Sequence, residues 1–229
     1  MDISLEAPQK KGMLVACRKE FLSMAKKELV IGTKNKDKRR EIQSLAGARS
    51  VKVLSLNDFP ACPEAVENGK TFAANARKKA GQYSRRTRRI TLADDSGLMA
   101  DFLKGKPGVY SARFAGENCS YRDNNRKLLR LMKEVPSARR RAKFVCVMAL
   151  YDNGRFIGLA KGICRGRIAP AEKGKNGFGY DPVFIPDGFS KTFAELPGRT
   201  KNRISHRARA LCGAQALLRR YWKKVKARN

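Results

Sequence analysis

The apolar and polar positions of this chain alternate between two periods. Leu29-Val30-Ile31-Gly32 is a continuous apolar run of strand length, and Asn35 to Ala46 then carries apolar residues at helical spacing. Val51 to Leu54 predicts a second strand, Asn57 to Gly69 a proline-bearing loop, and Phe72 to Arg85 a second helix. Ile90-Thr91-Leu92-Ala93 predicts a third, buried strand, so the chain opens as an α/β sheet. Asp123 to Met132 predicts another helix, after which the pattern becomes a long hairpin. Phe144 to Tyr151 and Arg155 to Ile163 flank Asp152-Asn153-Gly154, whose Asn-Gly step favours a tight turn with positive φ. From Ser205, a good N-cap residue, Leu211, Ala214, Leu218, Tyr221, Trp222 and Val225 recur at helical spacing. No repeat or Pro/Gly/Ser-rich linker interrupts the pattern. Residues 29–229 therefore read as one domain, and residues 1–28 as a poorly ordered N-terminal extension.

A length of 229 residues, 42% of them hydrophobic, is enough to bury a core. No apolar run approaches the roughly 18 residues of a membrane span, so the reading is a cytoplasmic protein with no membrane partner. The six cysteines form no CxxC pair and no zinc-like spacing with the single His206, and read as reduced thiols. Charge changes the picture more. The chain has 51 Lys and Arg against 20 Asp and Glu, a net charge of +31, with dense base runs at Arg77–Arg89 and Arg122–Lys143 and no acid after Glu195. Such a surface attracts polyanions, although a solvated helix face is the simpler account of any single run.

Against that excess the adjacent acids Asp94 and Asp95 stand out. They follow the third apolar run and precede Gly97, which permits a sharp turn, so a carboxylate pair at a strand end is expected, where α/β folds hold ligands and metal ions. Thr33-Lys34-Asn35-Lys36-Asp37-Lys38 lies between the first strand and helix. Free backbone N–H groups there, with hydroxyl, amide and ammonium donors, suit a phosphate, though a basic helix start is common in itself. Glu67 is predicted at a loop end on the same side of the sheet as Asp94 and Asp95. Together they offer hard oxygen ligands suited to Mg2+, unless Glu67 simply pairs with a nearby base. In Gly174-Lys175-Asn176-Gly177-Phe178-Gly179-Tyr180-Asp181-Pro182 the glycines allow close backbone approach, and Phe178 or Tyr180 offers a face to a base ring. A glycine-rich turn with a core aromatic fits equally well. In Lys201-Asn202-Arg203-Ile204-Ser205-His206-Arg207 the only histidine stands beside an arginine at a helix start. Donors there favour a 6-keto purine over adenine.

Taken in order, these segments resemble the inosine triphosphate pyrophosphatase family, also called Ham1-like. The resemblance covers nearly all of Leu29 to Leu218, and includes Gly69-Lys70-Thr71-Phe72, Asn75 with Lys79-Ala80, Pro107 to Arg113 and Lys191 to Leu196. It implies an elongated mixed β-sheet flanked by helices, in two lobes with the active cleft between them. It implies Mg2+-dependent hydrolysis of ITP, dITP and XTP to the monophosphate and pyrophosphate by a homodimer. By the same resemblance Asp95 is the proton acceptor that activates water and touches the metal, and Glu67 is a second metal ligand. Thr33, Asn35, Lys38, Lys79, Ser96 and Lys201 resemble triphosphate and ribose contacts, and Phe178, Gly179, Tyr180, Asp181, His206 and Arg207 a base pocket, with Arg113 a weaker match. The chain departs from the family at Lys34 and Asp37, where its phosphate loop usually has glycine, and at Ala73 and Ala74, where it often has acids. The rival reading is a basic nucleic-acid-binding protein on the same fold with weak or no hydrolase activity.

Overall fold

The computed structural model describes residues 27–46, 51–59 and 62–227, so all but the last two residues of the expected N-terminal extension lie outside the described residues. Lys27 and Glu28, placed by sequence in the extension, belong to the first strand. The strands are β1 (Lys27–Ile31), β2 (Val51–Ser55), β3 (Ile90–Ala100), β4 (Arg141–Asp152), β5 (Arg155–Ile168) and β6 (Phe184–Pro186), in the sheet order β2-β1-β3-β4-β5-β6. β1 runs parallel to β2 and β3, and every other pairing is antiparallel, so the sheet is mixed as expected. Five helices accompany it among the described residues: α1 (Lys36–Ala46), α2 (Phe72–Thr87), α3 (Tyr121–Leu131), α4 (Gly198–Ile204) and α5 (His206–Lys226).

β3, β4 and β5 are long enough to pass through two hydrophobic cores. At one end, α2 buries Phe72, Ala76 and Ala80 against Ala93, Val147 and Ala149 on one face of the sheet. On the opposite face α5 sets Ala210, Leu211, Ala214 and Leu218 against Leu92, Met148, Leu150 and Ala160, with Ile42 of α1 beside them. At the other end, Leu98, Ala142, Phe144 and Ile168 pack on Leu128 of α3 and on Phe184 and Phe193. Two cores strung along the same strands make the two lobes. The hairpin turns through Asn153 (φ 43°) and Gly154 (φ 83°), the left-handed pair that an Asn-Gly step supplies. Gly154 N donates to Ser84 Oγ at 2.8 Å and so pins the turn to α2.

β3 corrects the sequence reading. The carboxylate pair does not end the strand, which continues to Ala100 in unbroken register with β4, and Gly97 makes no turn. The parallel partner does stop there: the last β1–β3 pair is Ile31 with Leu92. Gly97 is needed for space instead, since a Cβ on it would lie 2.3 Å from Ser111 Oγ and 2.4 Å from Gly108 O. α4 and β6 were not foreseen, being too short to show a period. Ser205 caps α5 as expected, its Oγ accepting from Ala208 N at 3.2 Å.

Candidate active site

Where β1 leaves β3, the edge of β3 opens into a cleft of about 300 Å³ lined by all fourteen candidate residues: Thr33, Asn35, Lys38, Glu67, Lys79, Asp95, Ser96, Phe178, Gly179, Tyr180, Asp181, Lys201, His206 and Arg207. Asp94 does not line it. Successive side chains on a strand point to opposite faces, and the contacts of the two aspartates follow that rule: Asp94 meets α1 and α5, whereas Asp95 meets α2.

Asp94 is fully buried, 3.4 Å from Lys38 Nζ and 3.6 Å from Arg207 Nη2. Burial raises its pKa, but the charges of Lys38, Arg207 and Lys79 outweigh burial and hold the carboxyl well below the usual range. Arg207 Nη2 also donates to Ser96 Oγ at 2.9 Å, and Nη1 donates to Glu41. The Glu41 carboxylate receives Lys201 Nζ as well, at 2.5 Å, and that ammonium reaches Asp181 Oδ2 at 2.5 Å. Burial acts against ionised Glu41, yet Arg207 and Lys201 lower its pKa. Three carboxylates and three cations thus close into one network.

On the α2 face the balance differs. Thr71 Oγ1 caps α2 by accepting from Ala74 N at 3.1 Å, which starts the helix so that Asn75 and Lys79, four residues apart, share its sheet-facing side. Asn75 Nδ2 donates to Asp95 Oδ2 at 2.9 Å while its Oδ1 accepts from Gly69 N at 2.7 Å. Asp95 Oδ1 accepts from Ser96 N at 2.9 Å. Lys79 Nζ donates to Glu67 Oε1 at 2.9 Å, so the alternative pairing foreseen for Glu67 is present. Burial raises the Asp95 pKa, and the opposing effects of Lys79, Lys38 and the Asn75 bond do not cancel it. Burial works against the Lys79 charge, but Asp94, Glu67 and Asp95 more than restore it. Two carboxylates face one contacting ammonium here, leaving negative charge that a cation would neutralise. Among the described residues no three His, Cys, Asp or Glu side chains gather as a complete metal cage. Mg2+ needs none, because it commonly takes one or two carboxylates and completes its shell with water and substrate phosphates. Glu67 and Asp95 fit that pattern.

The strand-to-helix loop is more committed than the sequence suggested. Asn35 Oδ1 accepts from Asp37 N and Lys38 N, each at 3.0 Å, so two N–H groups expected to be free are already capped by Asn35. Thr33 Oγ1 accepts from Asn35 N at 3.2 Å. Arg113 also faces the cleft, where its Nη2 donates to Glu67 O at 3.4 Å.

At the far end of the cleft Phe178 is half-buried, and the Lys201 ammonium and Arg207 guanidinium lie 4.9 and 5.5 Å from its ring centre. Tyr180 differs: it is buried and its hydroxyl donates to Ser111 O at 2.9 Å, so it braces the lobe and leaves Phe178 as the stacking face. Phe178 N donates to Asp181 Oδ2 at 2.8 Å, which shapes the glycine-rich loop. His206 stacks on Phe144 with centroids 4.6 Å apart, and burial together with Arg207 and Lys201 keeps it neutral. His206 Nδ1 and Arg207 Nε are buried without a hydrogen-bond partner among the described residues. Lys201, grouped by resemblance with the triphosphate and ribose contacts, sits at this aromatic end.

Residues 29–216 match the profile of the Ham1 family. The chain belongs to the Ham1 family. It is 46% identical over 197 residues to a dITP/XTP pyrophosphatase of Shouchella clausii, covering 86% of this chain and 99% of the relative. It is 50% identical over 185 residues to the dITP/XTP pyrophosphatase of Geobacillus kaustophilus, covering 81% and 91%. A solved Ham1 protein from Coxiella burnetii superposes with a TM-score of 0.77 at 37% identity, covering 85% of this chain and 99% of that one. In this Ham1 chain the sequence reading passed over two residues of the site. Glu41 ties Lys201 to Arg207, and its signal was present as one of only two acids, with Asp37, in a basic helix. Tyr121 faces the cleft and takes a bond from Asn35 Nδ2 at 3.3 Å; it carried no signal, because only the fold brings α3 to the loop before α1.

Proposed function

We infer that this chain is a nucleoside triphosphate pyrophosphatase that hydrolyses non-canonical purine nucleotides, dITP, XTP and ITP, to the monophosphate and pyrophosphate. The observation that carries this reading is the division of one cleft into two ends: carboxylates with Lys79 at one, and Phe178 with His206 and Arg207 at the other. Curated relatives named dITP/XTP pyrophosphatase support it. Asp95 accepts the proton of the attacking water. Asn75 and Ser96 N hold its two oxygens in place, and burial raises its pKa in the metal-free protein above the ordinary aspartate value. Lys38 and Lys79 neutralise charge on the departing pyrophosphate. Glu67 and Asp95 would hold Mg2+, which when bound acidifies water and offsets phosphate charge. At the aromatic end Phe178 stacks on the base, while Arg207 and His206 offer donors that suit a 6-keto edge and leave the adenine amine without an acceptor.

A homodimer in the cytoplasm is part of the same proposal. Among the described residues no helix is long and apolar enough to cross a membrane. The test is pyrophosphate release from dITP, XTP, ITP, GTP and ATP, with and without Mg2+. Release from the first three, much slower release from ATP, and loss on chelation are expected. Failure to hydrolyse any nucleotide would overturn the reading.

A further inference from the structure

The outward face of α2 and the β4–β5 hairpin enclose a groove of about 580 Å³, remote in character from the cleft because its lining includes no acid: Arg77, Lys78, Gln82, Arg85, Arg86 and Tyr151 surround Gly81. Arg77, Arg85 and Arg86 are exposed, and among the described residues none of the three pairs with a carboxylate. Some exposed bases elsewhere do pair with acids, as Arg141 does with Asp187 at 3.0 Å and Arg89 with Glu28 at 2.8 Å, although 51 bases against 20 acids leave many without one. The helix period arranges the set. Residues 77, 81 and 85 lie on one stripe and 78, 82 and 86 on the next, so a cation pair stands at each end, and between them Gly81 lets the Tyr151 ring lie against the helix. The two pairs are about 12 Å apart along the axis. Adjacent phosphates of one free nucleotide are too close together to engage both; a polymer can.

The floor of the groove is aromatic. The Tyr151 ring covers Gly81 so closely that an added Cβ would meet it at 3.2 Å, and Phe156, 41% exposed, lies 5.2 Å from Tyr151 by ring centres. The Arg77 guanidinium sits 4.2 Å from the Phe156 ring centre. Ser84 holds the hairpin turn on α2, which fixes the groove's width. We propose that this groove binds single-stranded nucleic acid, with the end cations on backbone phosphates and Tyr151 beneath an intervening base. Charge without acids selects a polyanion, the length of the groove selects a chain, and the aromatic floor selects exposed bases over a paired helix.

The test is fluorescence anisotropy of the full chain with a labelled oligonucleotide of about 16 nucleotides, as single-stranded DNA, single-stranded RNA and duplex, over a salt series. A triple variant Arg77→Gln, Arg85→Gln, Arg86→Gln is compared with Arg219→Gln, Arg220→Gln, Lys223→Gln on α5, which removes the same charge. The groove variant should bind single strands roughly tenfold more weakly at low salt and lower the salt slope by about 2, while the α5 variant changes little. Equal losses in both variants would mean diffuse attraction and overturn the proposal. So would tighter binding of the duplex, or no binding by the parent chain. Matching circular-dichroism spectra and thermal midpoints confirm that all three proteins are folded.

Discussion

On one face of β3 the charges of the cleft are balanced, and on the other they are not. Asp94, Glu41 and Asp181 meet Lys38, Lys201 and Arg207 in a buried network. Across the strand, Lys79 contacts Glu67 and is the cation that acts most on Asp95, while also feeling the charge of Asp94. One peptide bond separates Asp94 from Asp95, yet their pKa values move in opposite directions from a common starting point. Burial raises both; what differs is how many cations each meets. A carboxylate held by several charges is a poor proton acceptor and a good anchor. One whose desolvation outweighs the charges of Lys79 and Lys38 and the Asn75 bond keeps its basicity for a water molecule.

Removing each acid in turn is the strongest way to break this contrast. Asp95→Asn should lower kcat by about 10³-fold, within the span of a lost general base, while nucleotide binding by calorimetry and the thermal midpoint change little. Near-normal turnover would remove Asp95 from the mechanism. Asp94→Asn should act on stability instead, costing about 3 kcal/mol in urea denaturation, because Arg207 would remain buried, and Lys38 half-buried, beside a neutral group. If Asp94→Asn were as stable as the parent and as inactive as Asp95→Asn, the two faces would not divide the work. Gly97→Ala tests the strand that separates them. Its Cβ would collide with Ser111 Oγ, which also accepts from Leu98 N at 3.0 Å, so a loss of about 1–3 kcal/mol is expected in the same measurement.

The parts of this arrangement that were legible in sequence are those encoded by local pattern. Apolar runs placed β1, β2 and the start of β3, the Asn-Gly step placed the hairpin turn, and Ser205 placed the start of α5. The scarcity of acid drew attention to Asp94 and Asp95. Their division of roles was not legible, because it depends on α1 and α5 packing on one face and α2 on the other. The strand-end reading failed for a related reason: β3 loses its parallel partner but keeps its antiparallel one, and no local signal distinguishes a strand's end from the end of its neighbour. Tyr180 shows the same limit. Its motif promised a stacking face, but its environment made it a brace.

The smallest expected effect is the sharpest probe of how Asp95 is tuned. Its catalytic form is the carboxylate, so activity is lost as pH falls through its pKa. Burial raises that pKa in the metal-free protein and Mg2+ held by the same carboxylate would lower it, so the position of the limb reports both. The stability linkage of the two acids has opposite signs. The depressed pKa of Asp94 contributes stability that is present above about pH 3.9 and lost as pH falls through the folded value, whereas the raised pKa of Asp95 favours the fold below about pH 3.9 and loses that contribution as pH rises through its own. Asn75 moderates the second effect by donating to the ionised form at 2.9 Å. Asn75→Ala should therefore move the acid limb of kcat to higher pH by somewhat less than about one unit, the equivalent of one hydrogen bond of about 1 kcal/mol, and leave the plateau rate near that of the parent. A limb that stayed in place while the plateau fell would mean that Asn75 orients the carboxylate without tuning it, and that burial and the charges of Lys79, Lys38 and Glu67 set the basicity of Asp95.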